Sequence, residues 1–161
     1  KVDNSVIWLK DTNHKSKNNF ISEAKNKNID PNRLIFAKKI EMDAHLARHR
    51  LADLFLDTFN YNGHASCCEA LWAGLPVITK KGKSFSARVA SSLLNSLELN
   101  ELVTKSEIEY HDLILKLSLN PTILNKIKKK LLKNLLNKPL FNSNLYIKNY
   151  EKALMDIYKN Y

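Results

Sequence analysis

The sequence predicts an α/β protein built on a doubly wound parallel sheet, and three patterns carry that prediction. Short apolar runs alternate with amphipathic stretches over residues 1–105. The apolar runs are continuous, as expected of strands buried on both faces. Successive runs are separated by stretches that read as crossover helices, which parallel pairing requires.

Val6-Ile7-Trp8-Leu9 reads as the first buried strand. A helix is expected from Asn18 to Asn28, with Phe20, Ile21 and Ala24 on one face. Leu34-Ile35-Phe36-Ala37 is the second strand, and a helix follows from about Asp43 to Arg50. Asp53-Leu54-Phe55-Leu56-Asp57 is the third strand. The loop from Phe59 to Ala65 leads into a short helix that Gly74 stops, and Pro76 just beyond opens the fourth strand, Pro76-Val77-Ile78-Thr79. Ser84 is placed to cap a helix running to about Leu97, and Glu101-Leu102-Val103 is a short fifth strand.

After Ser106 the character changes to helix alone. Glu107 to Leu119, Pro121 to Leu136 and Ser143 to Tyr161 all have helical patterning, with Pro121 suited to a first turn. The last of them carries Tyr146, Ile147, Tyr150, Leu154, Ile157 and Tyr158 at helical spacing. That stripe predicts a packed face, against this sheet or against a neighbouring domain.

The 161 residues suit one core, and 44% hydrophobic content marks a folded chain. The net charge of +10 invites a nucleic-acid reading, yet only four of the 26 basic residues are arginine. Lysine scattered among many asparagines points to compositional bias, since a phosphate-reading surface more often uses arginine's forked donors. The dense run from Lys126 to Lys133 lies on a helical stretch and reads as a solvated face. Nucleic acid is therefore not the expected partner. Cys67 and Cys68 are adjacent, with no zinc-ligand spacing around them, which fits a reducing cytoplasm. No apolar run is long enough to span a bilayer. The chain begins at Lys1 and runs into a strand within a few residues, so it is expected to be a piece of a longer protein.

Ligands of open parallel sheets sit beyond the carboxyl ends of the strands, so the loops there are the candidates. In the loop and helix from Ile40 to Arg50, His45 and Arg48 share a face. An imidazole can stack on a base and a guanidinium can bond its edge or a phosphate, although a solvated helix face satisfies the same spacing. The second loop is Tyr61-Asn62-Gly63-His64-Ala65-Ser66-Cys67-Cys68-Glu69. Asn62-Gly63 permits a turn with positive φ. The amides of the helix start after His64 suit a diphosphate, Ser66 adds a hydroxyl, and Glu69 one turn on can accept from ribose hydroxyls. The spacing Ser66-x-x-Glu69 is equally that of a capping box, which needs no ligand. A third, basic loop from Lys80 to Arg88 follows the fourth strand but lacks the GxxxxGK spacing of a phosphate loop. Arg88 there suits an ion pair or a ligand contact.

Taken in order, His45-Leu46-Ala47-Arg48, Leu51-Ala52-Asp53 to Asp57-Thr58, Asn62-Gly63-His64 and Leu71-Trp72-Ala73-Gly74-Leu75-Pro76-Val77-Ile78-Thr79 resemble the O-linked N-acetylglucosamine transferase family, including its Spindly-like members. Ser86-Ala87-Arg88-Val89-Ala90 and Pro139-Leu140-Phe141-Asn142 continue the resemblance over nearly the whole chain. It implies the C-terminal, nucleotide-binding half of a two-domain GT-B glycosyltransferase, with a Rossmann-like sheet over residues 1–105 and extra C-terminal helices over 106–161, packed on that sheet or on the missing N-terminal domain. It implies that His45 stacks near the base and Arg48 contacts it, that the backbone around Ile40 reads the base edge, that His64, Ala65 and Ser66 hold the diphosphate, and that Glu69 holds the ribose.

The resemblance further implies inverting, metal-independent transfer from a UDP-sugar (UDP-GlcNAc foremost) or a GDP-sugar to protein Ser or Thr hydroxyls. It implies a protein acceptor, a second catalytic domain and tetratricopeptide repeats outside this chain, and no catalytic residue or resident cofactor within it. The chain departs from the pattern in Ala65-Ser66, where well-known members carry Thr-Thr, in Glu69, where they carry Asp, and in Ala47, where a first arginine would stand. The alternatives are a GT-B enzyme with another donor or acceptor, and a non-enzymatic nucleotide-sensing or scaffold module.

Overall fold

β1 (Ile7–Lys10) pairs in parallel with β2 (Leu34–Ala37), from Ile7 against Leu34 to Lys10 against Ala37. A computed structural model describes residues 2–161, and these strands belong to the first of two compact units, which ends at Arg48. Between them runs α1 (His14–Asn26), which starts four residues ahead of the expected Asn18 because Asn13 accepts the Ser16 N–H at 2.8 Å. Phe20 of α1 meets Phe36 of β2, with ring centroids 6.5 Å apart. The strands are less covered than their composition predicts: Ile7, Trp8 and Ile35 are 40% exposed or more, and among the described residues of this unit only Ala24 is buried. A sheet of two strands with one helix against it has too few layers to bury both faces. The unit closes with α2 (Met42–Arg48), and the expected continuation to Arg50 is a 3-10 turn, His49–Leu51.

The second unit, His49–Tyr161, carries a three-stranded parallel sheet in the order β3 (Phe55–Leu56), β4 (Val77–Lys80), β5 (Val103–Thr104). Central β4 is the strand the sequence pattern describes, with Val77, Ile78 and Thr79 all fully buried. β3 is shorter than the expected Asp53–Asp57, although the Phe55 and Asp57 N–H groups still bond Pro76 and Ile78 carbonyls across the ladder. α3 (Ala65–Trp72) ends as its sequence foretells. Gly74 takes φ +85°, and the Gly74 and Leu75 N–H groups fold back onto the Leu71 and Ala70 carbonyls in a Schellman closure.

α4 (Val89–Ser96) is shorter than predicted. Ser84 does not cap it, because residues 81–88 form a separate loop in which the Gly82 N–H bonds the Ala87 carbonyl at 2.7 Å. α5 (Glu107–Ser118) does begin with a serine cap: Ser106 Oγ accepts the Glu109 N–H, and Glu109 accepts the Lys105 N–H. α6 (Pro121–Asn137) opens on Pro121 behind an Asn120 cap. The core is Leu71, Val77, Ile78, Leu94, Leu97, Leu99, Leu102, Leu117 and Leu131, so α3, α4, α5 and α6 all contribute to it. Each such leucine adds about 1.5–3 kcal/mol of burial. Asn134 of α6 is buried among them, and its amide donates to the Leu97 carbonyl at 2.7 Å.

α7 (Ser143–Lys159) behaves differently. Asn142 caps it, yet none of its residues is buried, and Tyr146, Tyr150, Leu154, Ile157 and Tyr158 are all exposed. The packed face expected of this helix is present as a stripe without a covering layer among the described residues.

Candidate functional site

The chain leaves β3 through Asp57, and this carboxylate anchors the loop that leads to α3. It is only 4% exposed. Its Oδ1 accepts the Gly63 N–H at 2.7 Å and the Cys67 thiol at 3.7 Å, while Oδ2 accepts the Thr79 hydroxyl at 2.6 Å. The Tyr110 hydroxyl donates to its backbone carbonyl at 2.9 Å. Burial raises the Asp57 carboxyl above its ordinary value, and the bonds from Thr79 and Gly63 offset only part of that rise. Burial, with the Asp57 charge second, pushes the Cys67 thiol well up, so this cysteine is an inert part of the packing.

Asn62 is the second fixed point. It is fully buried, and neither it nor Gly63 takes a positive φ, so the turn expected at Asn62-Gly63 is not formed. The Asn62 side chain shapes the loop instead: its amide donates to the Thr58 carbonyl at 2.7 Å and its oxygen accepts the Ala90 N–H at 3.3 Å. Its backbone N–H bonds the Ser86 carbonyl, and Ser86 Oγ donates to the Asn60 carbonyl, so the loops after β3 and β4 are laced together. Gly63 is required for packing: a Cβ there would lie 2.6 Å from Ser66 Oγ and 2.9 Å from Cys67 Sγ.

These anchors deliver His64 to the N-cap of α3, where the His64 side chain makes no bond to the helix start. Ser66 lies within the first turn and not at the cap, so Ser66 and Glu69 do not form the capping box their spacing allows. Ala65 and Ser66 are exposed, and Glu69 is partly buried one turn further along. The His64 ring is stacked against Tyr61, with centroids 4.8 Å apart and planes 10° from parallel, and meets Phe85 edge to face at 6.1 Å. His64 Nε2 is shielded from solvent and has no hydrogen-bond partner among the described residues, and an unpaired buried polar atom costs about 1–3 kcal/mol. An anion at an uncapped helix start supplies such a partner.

The end of β4 and the loop after it carry positive charge. Lys80 Nζ lies 4.1 Å from the Phe59 ring centroid and 2.9 Å from Glu107, whose carboxyl it holds below the ordinary value by that hydrogen bond. Arg88 is exposed and has no ion-pair partner among the described residues.

The other expected residues lie in the first unit. Ile40 is exposed between β2 and α2. His45 and Arg48 do share a face of α2, and they bond each other, Arg48 Nη2 to His45 Nδ1 at 2.6 Å. Arg48 also donates to the Lys38 carbonyl at 2.8 Å and sits 5.9 Å from the Trp8 ring centroid. The expected site residues thus fall into two sets, one in each unit. Asp57, Asn62, Tyr61 and Phe85 surround the second set; the sequence places them in or beside the candidate loops but gives only Asn62 a role, that of a turn residue, which the structure does not bear out.

The family model of glycosyl transferase family 41 matches residues 1–150. The chain belongs to glycosyl transferase family 41. Among curated relatives, it is 29% identical over 160 residues to the UDP-N-acetylglucosamine–peptide N-acetylglucosaminyltransferase of Caenorhabditis elegans, covering 99% of this chain and 14% of that protein. It is 32% identical over 154 residues to the probable UDP-N-acetylglucosamine–peptide N-acetylglucosaminyltransferase SEC of Arabidopsis thaliana, covering 95% of this chain and 16% of that protein. Among solved structures, a mutant O-GlcNAc transferase of Thermobaculum terrenum matches with a TM-score of 0.84 and 26% identity, over 96% of this chain and 30% of that one. The family 41 match agrees with the parallel α/β architecture, and the chain spans about one-seventh of the curated relatives' length. No helix among the described residues is long and apolar enough to cross a membrane.

Proposed function

We propose that this chain is the nucleotide-sugar-binding half of a glycosyltransferase. In the complete protein it takes a nucleoside-diphosphate sugar, UDP-N-acetylglucosamine foremost, and the sugar passes to Ser or Thr hydroxyls of a protein acceptor. The observation that carries this reading is the start of α3, where an uncapped helix end and an unpartnered His64 Nε2 meet in a family 41 chain.

The demand on the site comes from the leaving group. As the acceptor hydroxyl attacks the anomeric carbon, negative charge grows on the departing diphosphate. The amides of Ala65 and Ser66 and the clasped His64 are donors held in place before that charge develops, and the Ser66 hydroxyl can turn to join them, so little reorganisation is needed when it does. Glu69 accepts from the ribose hydroxyls, one turn along the same helix. In the first unit His45 stacks on the base, Arg48 contacts it, and the backbone around Ile40 reads its edge. The charge is neutralised by protein donors without a metal ion. The second catalytic domain supplies the acceptor groove and the remaining phosphate contacts, and the exposed stripe of α7 docks against it. The chain alone is inactive in this reading.

The test is transfer from UDP-N-acetylglucosamine to Ser/Thr peptides by the complete protein, read by mass spectrometry. The expected result is peptide bearing one N-acetylhexosamine, with turnover cut by His64→Ala. Binding of the diphosphate without transfer to any acceptor would move the reading to a nucleotide-sensing module.

A further inference from the structure

His64 is gripped by two aromatic rings that come from two different loops. Tyr61 belongs to the loop before α3 and lies flat on the imidazole; Phe85 belongs to the loop after β4 and meets it at 88°. Both rings are mostly exposed, at 65% and 73%, so the hydrophobic effect does not account for their placement. Their loops are tied to each other through Asn62, Ser86 and Asn60, which keeps the spacing of the rings fixed. Nε2 of the imidazole is shielded from solvent and has no hydrogen-bond partner among the described residues.

From this geometry we propose that Tyr61 and Phe85 are positioning residues for the donor diphosphate, acting through His64. They hold the imidazole in one orientation and keep Nε2 dry, so the diphosphate oxygen meets a donor that need not shed water or lose rotamer freedom on binding. Preorganisation of this kind raises affinity by lowering the cost of association. This inference rests on the reading of the α3 start as a diphosphate site, and goes beyond it by assigning two residues outside that helix.

The experiment titrates UDP and GDP, each beside its nucleoside, into the complete protein and its Tyr61→Leu, Phe85→Leu and double variants, with Tyr61→Phe as the variant that keeps the ring. Circular dichroism and thermal melts establish that each variant is folded. The expected result is that the preferred diphosphate binds the double variant about five- to tenfold more weakly. The nucleoside should bind it as it binds wild type, and Tyr61→Phe should match wild type throughout. Diphosphate affinity unchanged or raised in the double variant would overturn the assignment and leave the site itself standing. An equal loss for diphosphate and nucleoside would also overturn it, since the rings would then only support the loops. Wild type with no preference for diphosphate over nucleoside would overturn the site reading and this inference with it.

Discussion

Asp57 Oδ1 accepts the Gly63 N–H at 2.7 Å, so a buried carboxylate just past β3 sets the position of the residue directly before His64. The same side chain reaches Thr79 on the neighbouring strand. The loop that delivers His64 is thereby fixed to the floor of the sheet rather than to the surface.

Replacing Asp57 with alanine leaves the buried Thr79 hydroxyl and the half-buried Gly63 N–H without their acceptor. An unsatisfied buried donor costs about 1–3 kcal/mol and a half-buried one less, so Asp57→Ala is expected to lower unfolding stability by about 2–4 kcal/mol. Urea unfolding midpoints compared with wild type check this. A change under about 0.5 kcal/mol, typical of surface positions, would contradict it.

The raised carboxyl of Asp57 also makes a pH prediction. Its ordinary value is 3.8, and burial lifts it in the folded chain. As pH rises past the unfolded value, the unfolded chain loses the proton first, and the folded state then binds more protons. Stability contributed by this group therefore falls as pH rises from the unfolded toward the folded value, and levels off above it. Asp57→Asn has no proton to lose. Wild-type stability minus that of Asp57→Asn should be largest in acid and decline through this window. Denaturant midpoints of both proteins across the acid range would show it, and a difference that stays flat or grows with pH would refute it.

Gly63 has no room for a side chain, since a Cβ would meet Ser66 Oγ at 2.6 Å and Cys67 Sγ at 2.9 Å. Gly63→Ala must push aside the Ser66 and Cys67 side chains, the latter held by its bond to Asp57, at a cost of about 1–3 kcal/mol. Thermal unfolding reads the loss of stability, and weaker diphosphate binding should accompany it. An alanine variant as stable as wild type would mean that the turn relaxes freely.

The Asn62 side chain ties the loop after β3 to the start of α4, donating to the Thr58 carbonyl and accepting the Ala90 N–H, while its bond to Ser86 is made by the backbone and survives substitution. Asn62→Ala should therefore loosen the loop before α3 and the start of α4 together. Hydrogen exchange should speed up at the amides of His64 and Arg88 alike. Faster exchange confined to one of the two would break the claimed link.

Much of this arrangement is legible in the chain itself. β2 falls on Leu34–Ala37 as its apolar run predicts, Pro121 opens α6, and Gly74 closes α3, because an apolar run, a fixed φ and a positive φ are each local properties. The two Ser-x-x-Glu patterns show the limit. Ser106 and Glu109 form the cap, whereas Ser66 and Glu69 do not, because Asp57 and Asn62 start α3 one residue after Gly63, at His64. That decision is made by residues on other elements. Asp57 and Asn62 escape a sequence reading for the same reason: each is an ordinary strand-end or turn residue until its distant partners are known. The α7 stripe is legible as a stripe, but its covering layer is not a property of the stripe.

The central claim is that the start of α3 holds a diphosphate through His64. Calorimetric titration of UDP and GDP into the complete protein, wild type beside His64→Ala, tests it most directly. The account predicts that one diphosphate binds wild type and that His64→Ala weakens it about 10- to 100-fold, the worth of a hydrogen bond to a charged group. Equal affinity of the two proteins for that diphosphate would contradict it.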